Sequence, residues 1–229
     1  MGKSSKYSEK LAINNRQEVN PPEPLNIKQA QYIKALKHNP IVLSIGPPGT
    51  AKTFIPAALG AYWLHTKQIE RVVIARPSVG PGKSIGLLPG DKDLKLENFM
   101  KPVTEAMVSV LGQTKFEYYH KKGQIEFCLL EAIQGRTFDD CLLILDEGQD
   151  IDEGTMKAVL TRIGENSTFI VNGDIAQQNI KGKSGLALAQ QLATVMDIDV
   201  PTIEFTVEDI VRSGACASVV KGLIKLGHY

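Results

Sequence analysis

The sequence predicts an α/β fold, a mostly parallel sheet with helices on both faces. Three observations carry that prediction. Short apolar runs alternate with longer helix-compatible stretches, the pattern of strands buried on both sides by crossover helices. One such run, Ile41-Val42-Leu43-Ser44-Ile45, passes through a Gly/Pro turn into a helical stretch, the strand, turn and helix of a phosphate-binding loop. Another, Leu142-Leu143-Ile144-Leu145, ends in Asp146-Glu147, as a strand does when its tip carries a metal and a water.

Taken in order, residues 1–24 are polar and close on Pro21-Pro22-Glu23-Pro24, which reads as a flexible tail and stiff spacer. The domain then spans 25–229. Ile27, Ala30, Ile33 and Leu36 share one side of a helix over 27–37. Strand 41–45 leads into the loop and a helix over 54–65, with Pro56 in its first turns, where a missing N–H does least harm. A strand at 71–75 precedes a Gly- and Pro-rich loop, 76–91. Beyond it the pattern predicts a helix over 91–111 with a break near Pro102. Strands follow at 125–129, 142–145, 168–171 and 203–205, and helices at 152–163, 184–195 and 208–226. Ligands of such a sheet bind beyond the C-terminal ends of its strands.

Composition narrows the function classes. The 229 residues suit one α/β domain, and 43% are hydrophobic, ordinary for a globular core. Twenty-six basic and 25 acidic residues give a formal +1, so any nucleic-acid surface must be local. The three cysteines, Cys128, Cys141 and Cys216, lack metal-ligand spacing and read as reduced thiols, which fits a cytoplasmic location. The polar start has no signal-peptide character, and no run is long enough to span a bilayer, so no membrane association is expected.

The chemistry concentrates in Gly46-Pro47-Pro48-Gly49-Thr50-Ala51-Lys52-Thr53. Backbone N–H groups of such a loop and the following helical turn converge on polyphosphate oxygens. Lys52 would neutralise the β- and γ-phosphates and Thr53 would hold Mg²⁺. Ala51 stands where the common pattern has Gly. A negative φ there would cost little; a positive one would strain it. Asp146 would hold Mg²⁺ opposite Thr53, and Glu147 would orient a water for attack on the γ-phosphate. That extra Glu favours hydrolysis over transfer to a small acceptor. Asp174, at a third strand tip, could support the metal–water network, and Gln177 could contact the γ-phosphate.

Several segments, taken together, resemble the PhoH-like proteins, ATPases related to the first core domain of superfamily 1 helicases. They are Gln29 before Tyr32-Ile33, the 46–53 loop, Arg76-Pro77 with Gly86-Leu87-Leu88-Pro89-Gly90-Asp91, and Gly135-Arg136-Thr137 before Asp146-Glu147-Gly148-Gln149. Thr161-Arg162-Ile163-Gly164, Gly173-Asp174 with Gln177, Ser184-Gly185-Leu186 and Glu208-Asp209-Ile210-Val211-Arg212 continue in order. The resemblance covers most of the chain and implies a RecA-like P-loop NTPase domain. It also implies ATP and Mg²⁺ as ligands, Gln29 and Tyr32 near adenine, a homo-oligomeric ring, expected to be a hexamer, and RNA or single-stranded DNA as a partner. Two-domain helicases draw a γ-phosphate arginine from their second domain. A single core domain would take it from a neighbouring subunit, with two candidates: Arg162, which the following strand would bring near the sheet's C-terminal edge, and Arg212, which could instead pair with Glu208 at i,i+4. For nucleic acid, the candidate surface is 76–83 with Lys92, Lys95 and Lys101, although Arg76 could instead face the nucleotide or brace the loop. Slow hydrolysis by a nucleotide-gated switch that acts through a partner is the alternative.

Overall fold

The computed structural model describes residues 18–80, 83–84, 100–133 and 135–227. Six parallel strands form one sheet: β1 (Ile41–Ile45), β2 (Arg71–Arg76), β5 (Ile125–Leu129), β6 (Cys141–Leu145), β7 (Thr168–Gly173) and β8 (Thr202–Glu204). Their spatial order is β5-β2-β6-β7-β1-β8. A small antiparallel pair, β3 (Val79–Gly80) and β4 (Lys83–Ser84), sits in the loop after β2. The helices are α1 (Ile27–His38), α2 (Phe54–His65), α3 (Lys101–Leu111), α4 (Gln113–Lys121), α5 (Glu153–Leu160), α6 (Gly185–Ala193) and α7 (Gly214–Lys225).

Strand residues divide alternately between two cores, as a period of two demands. Val42, Leu142, Ile144 and Ile170 face α1, α2 and α3, where Leu36, Leu59 and Met107 are buried. Leu43, Leu143, Leu145 and Val171 face α5 and α6, with Met156, Val159 and Leu186. This double cover explains why β6 is buried at every position and reads as an unbroken apolar run. Helix α2 lies so close to the sheet that a Cβ on Gly60 would come 2.6 Å from Leu142 Cδ2. A side chain there would have to displace the Leu142 methyl.

Two elements differ from the sequence reading. Helix α4 was not expected. It buries only Phe116, too little apolar surface to leave a stripe in the sequence. The last helix begins at Gly214 rather than 208, because the Ser213 side chain accepts from Cys216 N and caps it there. The stretch before it holds a 3₁₀ turn, Val207–Asp209, with a capping box between Thr206 and Asp209. Helix α3 begins at Lys101, with Pro102 in its first turn, where the sequence predicts a break; residues 91–99 of the predicted helix lie outside the described residues. So do residues 1–17 of the expected tail, whereas Pro22 and Glu23 lie against a cleft at the C-terminal edge of the sheet. No helix among the described residues is long and apolar enough to cross a membrane.

Candidate nucleotide-binding site

The loop after β1 and the tips of β2, β6 and β7 meet at the C-terminal edge of the sheet. They frame a cleft of about 590 Å³ lined by Gln29, Pro48, Gly49, Ala51, Lys52, Thr53, Arg76, Asp146, Glu147, Asp174, Gln177 and Arg212. A second cavity of about 600 Å³ lies at the opposite end, against His38, Pro40 and Thr168. It contains none of the predicted site residues.

The loop closes tightly. Thr50 Oγ1 donates to Pro47 O at 3.0 Å. Lys52 Nζ donates to Gly46 O, and to Pro47 O at 2.7 Å, so the ammonium already lies folded over the concavity. Burial pulls its pKa down, against the opposing charges of Asp174, Asp146 and Glu147. Gly46 has φ +139°, and a Cβ there would come 2.2 Å from Phe205 O, so this glycine is needed for both conformation and space. Ala51 has φ +71°. The left-handed conformation costs an L-residue about 1–2 kcal/mol. Ala51→Gly should therefore stabilise the fold by up to about 1 kcal/mol, part of the gain being offset by glycine's greater freedom when unfolded. That corresponds to a Tm rise of roughly 2–4 °C in thermal denaturation.

The metal candidates touch. Thr53 Oγ1 donates to Asp146 Oδ1 at 2.9 Å, although 93 residues separate them and β7 lies between their strands in the sheet. A hydroxyl and a carboxylate are hard oxygen donors of the kind Mg²⁺ takes when phosphates and waters complete its shell. The residues present therefore fit Mg²⁺. Asp146 Oδ2 accepts from Arg76 Nε at 2.8 Å and is also ion-paired to Arg76 Nη2. Arg76 is buried and braces the Asp146 carboxylate. Its place in the candidate nucleic-acid surface is thereby corrected. Lys92 and Lys95 of that surface fall outside the described residues.

Glu147 follows with φ +57°, which turns its carboxylate into the cleft. Gln149 Nε2 donates to Glu147 Oε2 at 2.8 Å, while Gln149 Oε1 accepts from Asp174 N at 2.9 Å. One buried glutamine thus ties the β6 tip to the β7 tip, a role the sequence did not signal. The side chain of Glu147 is open at the cleft surface, yet the surrounding protein and the Asp146 charge push its carboxyl above the usual range. Gln177 Nε2 donates to Asp174 Oδ2 at 2.9 Å, which joins the two predicted residues.

A raised carboxyl pKa favours the protonated form in the folded state. The associated stability is complete below the ordinary value near 4.5 and is lost as pH rises through the shifted one. Glu147→Gln should consequently melt higher than wild type at neutral pH. The difference should vanish below about pH 4, as differential scanning calorimetry across pH would record.

Gln29 is buried at the N-terminal turn of α1. Its Oε1 accepts from Leu25 N at 2.8 Å, and its Nε2 lies 3.4 Å from Thr50 O, which places it at the cleft wall beside the loop. Tyr32 is not there. It is fully buried, edge-on to Phe205 at 5.7 Å between centroids, and its hydroxyl points beneath the loop. A residue three positions after Gln29 lies one turn deeper along α1, toward the sheet, so adenine contact is corrected to packing.

The arginine candidates separate. Arg162 precedes β7, and its carbonyl accepts from Phe138 N just before β6. It therefore sits at the N-terminal edge of the sheet, opposite the cleft. The expectation that it lies near the C-terminal edge fails because it leads into its strand instead of leaving one. Arg212 lines the cleft. Its Cγ and Cδ pack against the Gly49 position, and Val211 N donates to Gly49 O at 2.9 Å. The anticipated Glu208–Arg212 pair does not form; Glu208 lies 3.9 Å from Lys221. Arg136 of the Gly135-Arg136-Thr137 segment braces β5 through a two-point ion pair with Glu126 at 2.6 and 2.8 Å.

A parallel sheet with this loop and acidic strand tip at its C-terminal edge defines the P-loop NTPase class. The chain belongs to the PhoH family: the family model, described as PhoH-like protein, matches residues 22–223. It is 37% identical over 199 residues to the PhoH-like protein of Bacillus subtilis, covering 86% of this chain and 62% of that one. It is 34% identical over 194 residues to Protein PhoH of Escherichia coli, covering 83% and 55%. The chain thus spans little more than half the length of these relatives. Among solved structures, the large terminase of a thermophilic bacteriophage aligns with a TM-score of 0.55 at 13% identity, over 87% of this chain and 50% of that one. That is a likeness of fold.

Proposed function

We propose that this protein binds ATP with Mg²⁺ and hydrolyses it. The observation that carries the reading is the Thr53–Asp146 contact at 2.9 Å with Glu147 one residue on, which brings the residues that would serve metal and water into the cleft of the phosphate loop. Loop N–H groups and Lys52 would bind the polyphosphate, and the Lys52 ammonium would move from Gly46 O and Pro47 O to phosphate oxygens. Thr53 and Asp146 would hold Mg²⁺, which when bound neutralises charge on the β- and γ-phosphates. Glu147 would accept a proton from the attacking water, positioned by Gln149. Gln177, tethered to Asp174, would meet the γ-phosphate side, with Arg212 as the nearby cation. Gln29 would face the adenine edge.

Steady-state hydrolysis with and without RNA or single-stranded DNA tests this. Turnover that disappears in Lys52→Ala supports it; absent turnover in wild type refutes it. Stimulation by nucleic acid would identify a remodelling motor. The second reading, a slow nucleotide-gated switch, is favoured by the left-handed Ala51. It predicts tight ATP binding with little turnover, raised by Ala51→Gly. A homo-oligomeric ring, expected to be a hexamer, remains part of the proposal. In a ring Arg162 could reach only a neighbour's cleft, and mass measurement with and without nucleotide would detect the assembly.

A further inference from the structure

The carbonyl of the phosphate-loop lysine lacks its helical partner. At the start of α2, Ile55 N donates to Ala51 O at 3.0 Å and Ala57 N to Thr53 O at 3.3 Å. The acceptor between them, Lys52 O, faces residue 56, a proline with no N–H to give. Two side chains from other elements fill the gap. Asn172 Nδ2, from β7, donates to Lys52 O at 3.1 Å. Tyr32 Oη, from α1, lies 3.3 Å from the same oxygen and donates to Asn172 Oδ1 at 2.8 Å.

The arrangement has one consistent polarity. A phenol has a single hydrogen, and the shorter contact takes it. The Asn172 amide then presents its oxygen to Tyr32 and its N–H to Lys52 O. Both side chains are completely buried, so an unmet donor or acceptor here is costly. Burial drives the ionisation of Tyr32 far above its ordinary value, which keeps it a donor. Ser44, paired with Asn172 across β1 and β7, lies close enough to bear on that ionisation but makes no well-formed hydrogen bond.

The network joins three parts of the cleft. Tyr32 stands one helical turn from Gln29, Asn172 stands two residues before Asp174, and the shared acceptor belongs to Lys52. We propose that Tyr32 and Asn172 are positioning residues that set the Lys52 backbone in register with the adenine wall and the β7 tip. Neither touches the nucleotide. Loss of the network lets the Lys52 carbonyl and the first turn of α2 shift, and the ammonium at the end of that residue loses its alignment with the γ-phosphate. The inference rests on the hydrolytic reading above.

The test compares ATP hydrolysis and thermal melting for wild type, Tyr32→Phe, Asn172→Asp and Pro56→Ala, and for Tyr32→Phe combined with Pro56→Ala. Val159→Ala, a buried α5 change in the core on the other face of the sheet, calibrates the effect of lost stability. Tyr32→Phe should lower kcat roughly ten- to a hundred-fold, the scale of a small misplacement, with KM changed by less than about threefold. Asn172→Asp sets two acceptors against each other and should do at least as much. Pro56→Ala supplies the missing N–H and should restore most of the kcat lost in Tyr32→Phe. Should Asn172→Asp fail to fold, Asn172→Ser removes the same donor more gently. Unchanged kcat, a fall no larger than that of Val159→Ala at equal loss of Tm, or no rescue by Pro56→Ala would overturn the proposal. A wild type that hydrolyses no ATP would refute the hydrolytic reading itself; an active wild type with unaltered variants would refute only the positioning role.

Discussion

Replacing Glu147 with Gln should lower kcat by about 10²–10⁴, the usual contribution of a positioned general base, while ATP affinity stays close to wild type. The amide keeps the size of the carboxylate and one oxygen but can no longer accept the water's proton. The loop, Lys52 and the Thr53–Asp146 pair remain intact, so ground-state binding is preserved. The pH profile gives an independent check. The Glu147 carboxyl is raised by surrounding protein and by the Asp146 charge, and the base must be ionised to act. Activity of the wild type should rise with pH through a midpoint above the ordinary 4.5, and that limb should be absent from residual Glu147→Gln turnover. Stopped single-turnover hydrolysis with bound ATP would separate the chemical step from release. A variant that turns over at the wild-type rate would remove Glu147 from the mechanism.

Arg212→Ala should lower kcat by about 10³ or more, the scale on which an arginine acts on a transferring phosphoryl group. Its position decides how the effect behaves on mixing. Arg212 lies against Gly49 in the cleft of its own chain, so under the proposed mechanism it would act in cis. Equal amounts of Lys52→Ala and Arg212→Ala protein should then show no more activity than their average. An arginine supplied by a neighbour would instead regain activity in assemblies that pair an intact Lys52 cleft with an intact Arg212 donor. Arg162→Ala is the matching comparison. At the far edge of the sheet, Arg162 has no route to its own cleft, so full activity in Arg162→Ala assigns the whole arginine contribution to Arg212. Recovery in the Lys52→Ala and Arg212→Ala mixture would reverse the assignment.

The sheet and most of its helices were legible in the chain because their signals are local. Strands buried on both faces are continuous apolar runs, and those at 41–45, 125–129 and 142–145 were placed to within a residue. The phosphate loop and the acidic strand tip were legible for the same reason, since each is a few neighbouring residues in a fixed local frame. Helix α4 left no such trace because its buried surface is a single phenylalanine. The start of α7 was misplaced because acidic residues at 208 and 209 resemble a first helical turn, whereas here they belong to a 3₁₀ turn closed by Thr206 and Asp209.

Site roles that depend on pairing at a distance were decided elsewhere. The Arg76–Asp146 pair spans 70 residues, the Thr53–Asp146 contact 93 and the Tyr32–Asn172 bond 140. No local pattern encodes which end of the sheet a residue reaches or which side chain meets it there. Composition and periodicity by themselves determined that this is a two-face-covered parallel sheet with a phosphate loop and an acidic partner. Only the tertiary structure decided that Arg212 and not Arg162 stands in the cleft, that Tyr32 lies beneath the loop, and that Ala51 is left-handed. Those outcomes follow from strand order and chain direction, which set which strand tips converge and which backbone angles the converging loop must take.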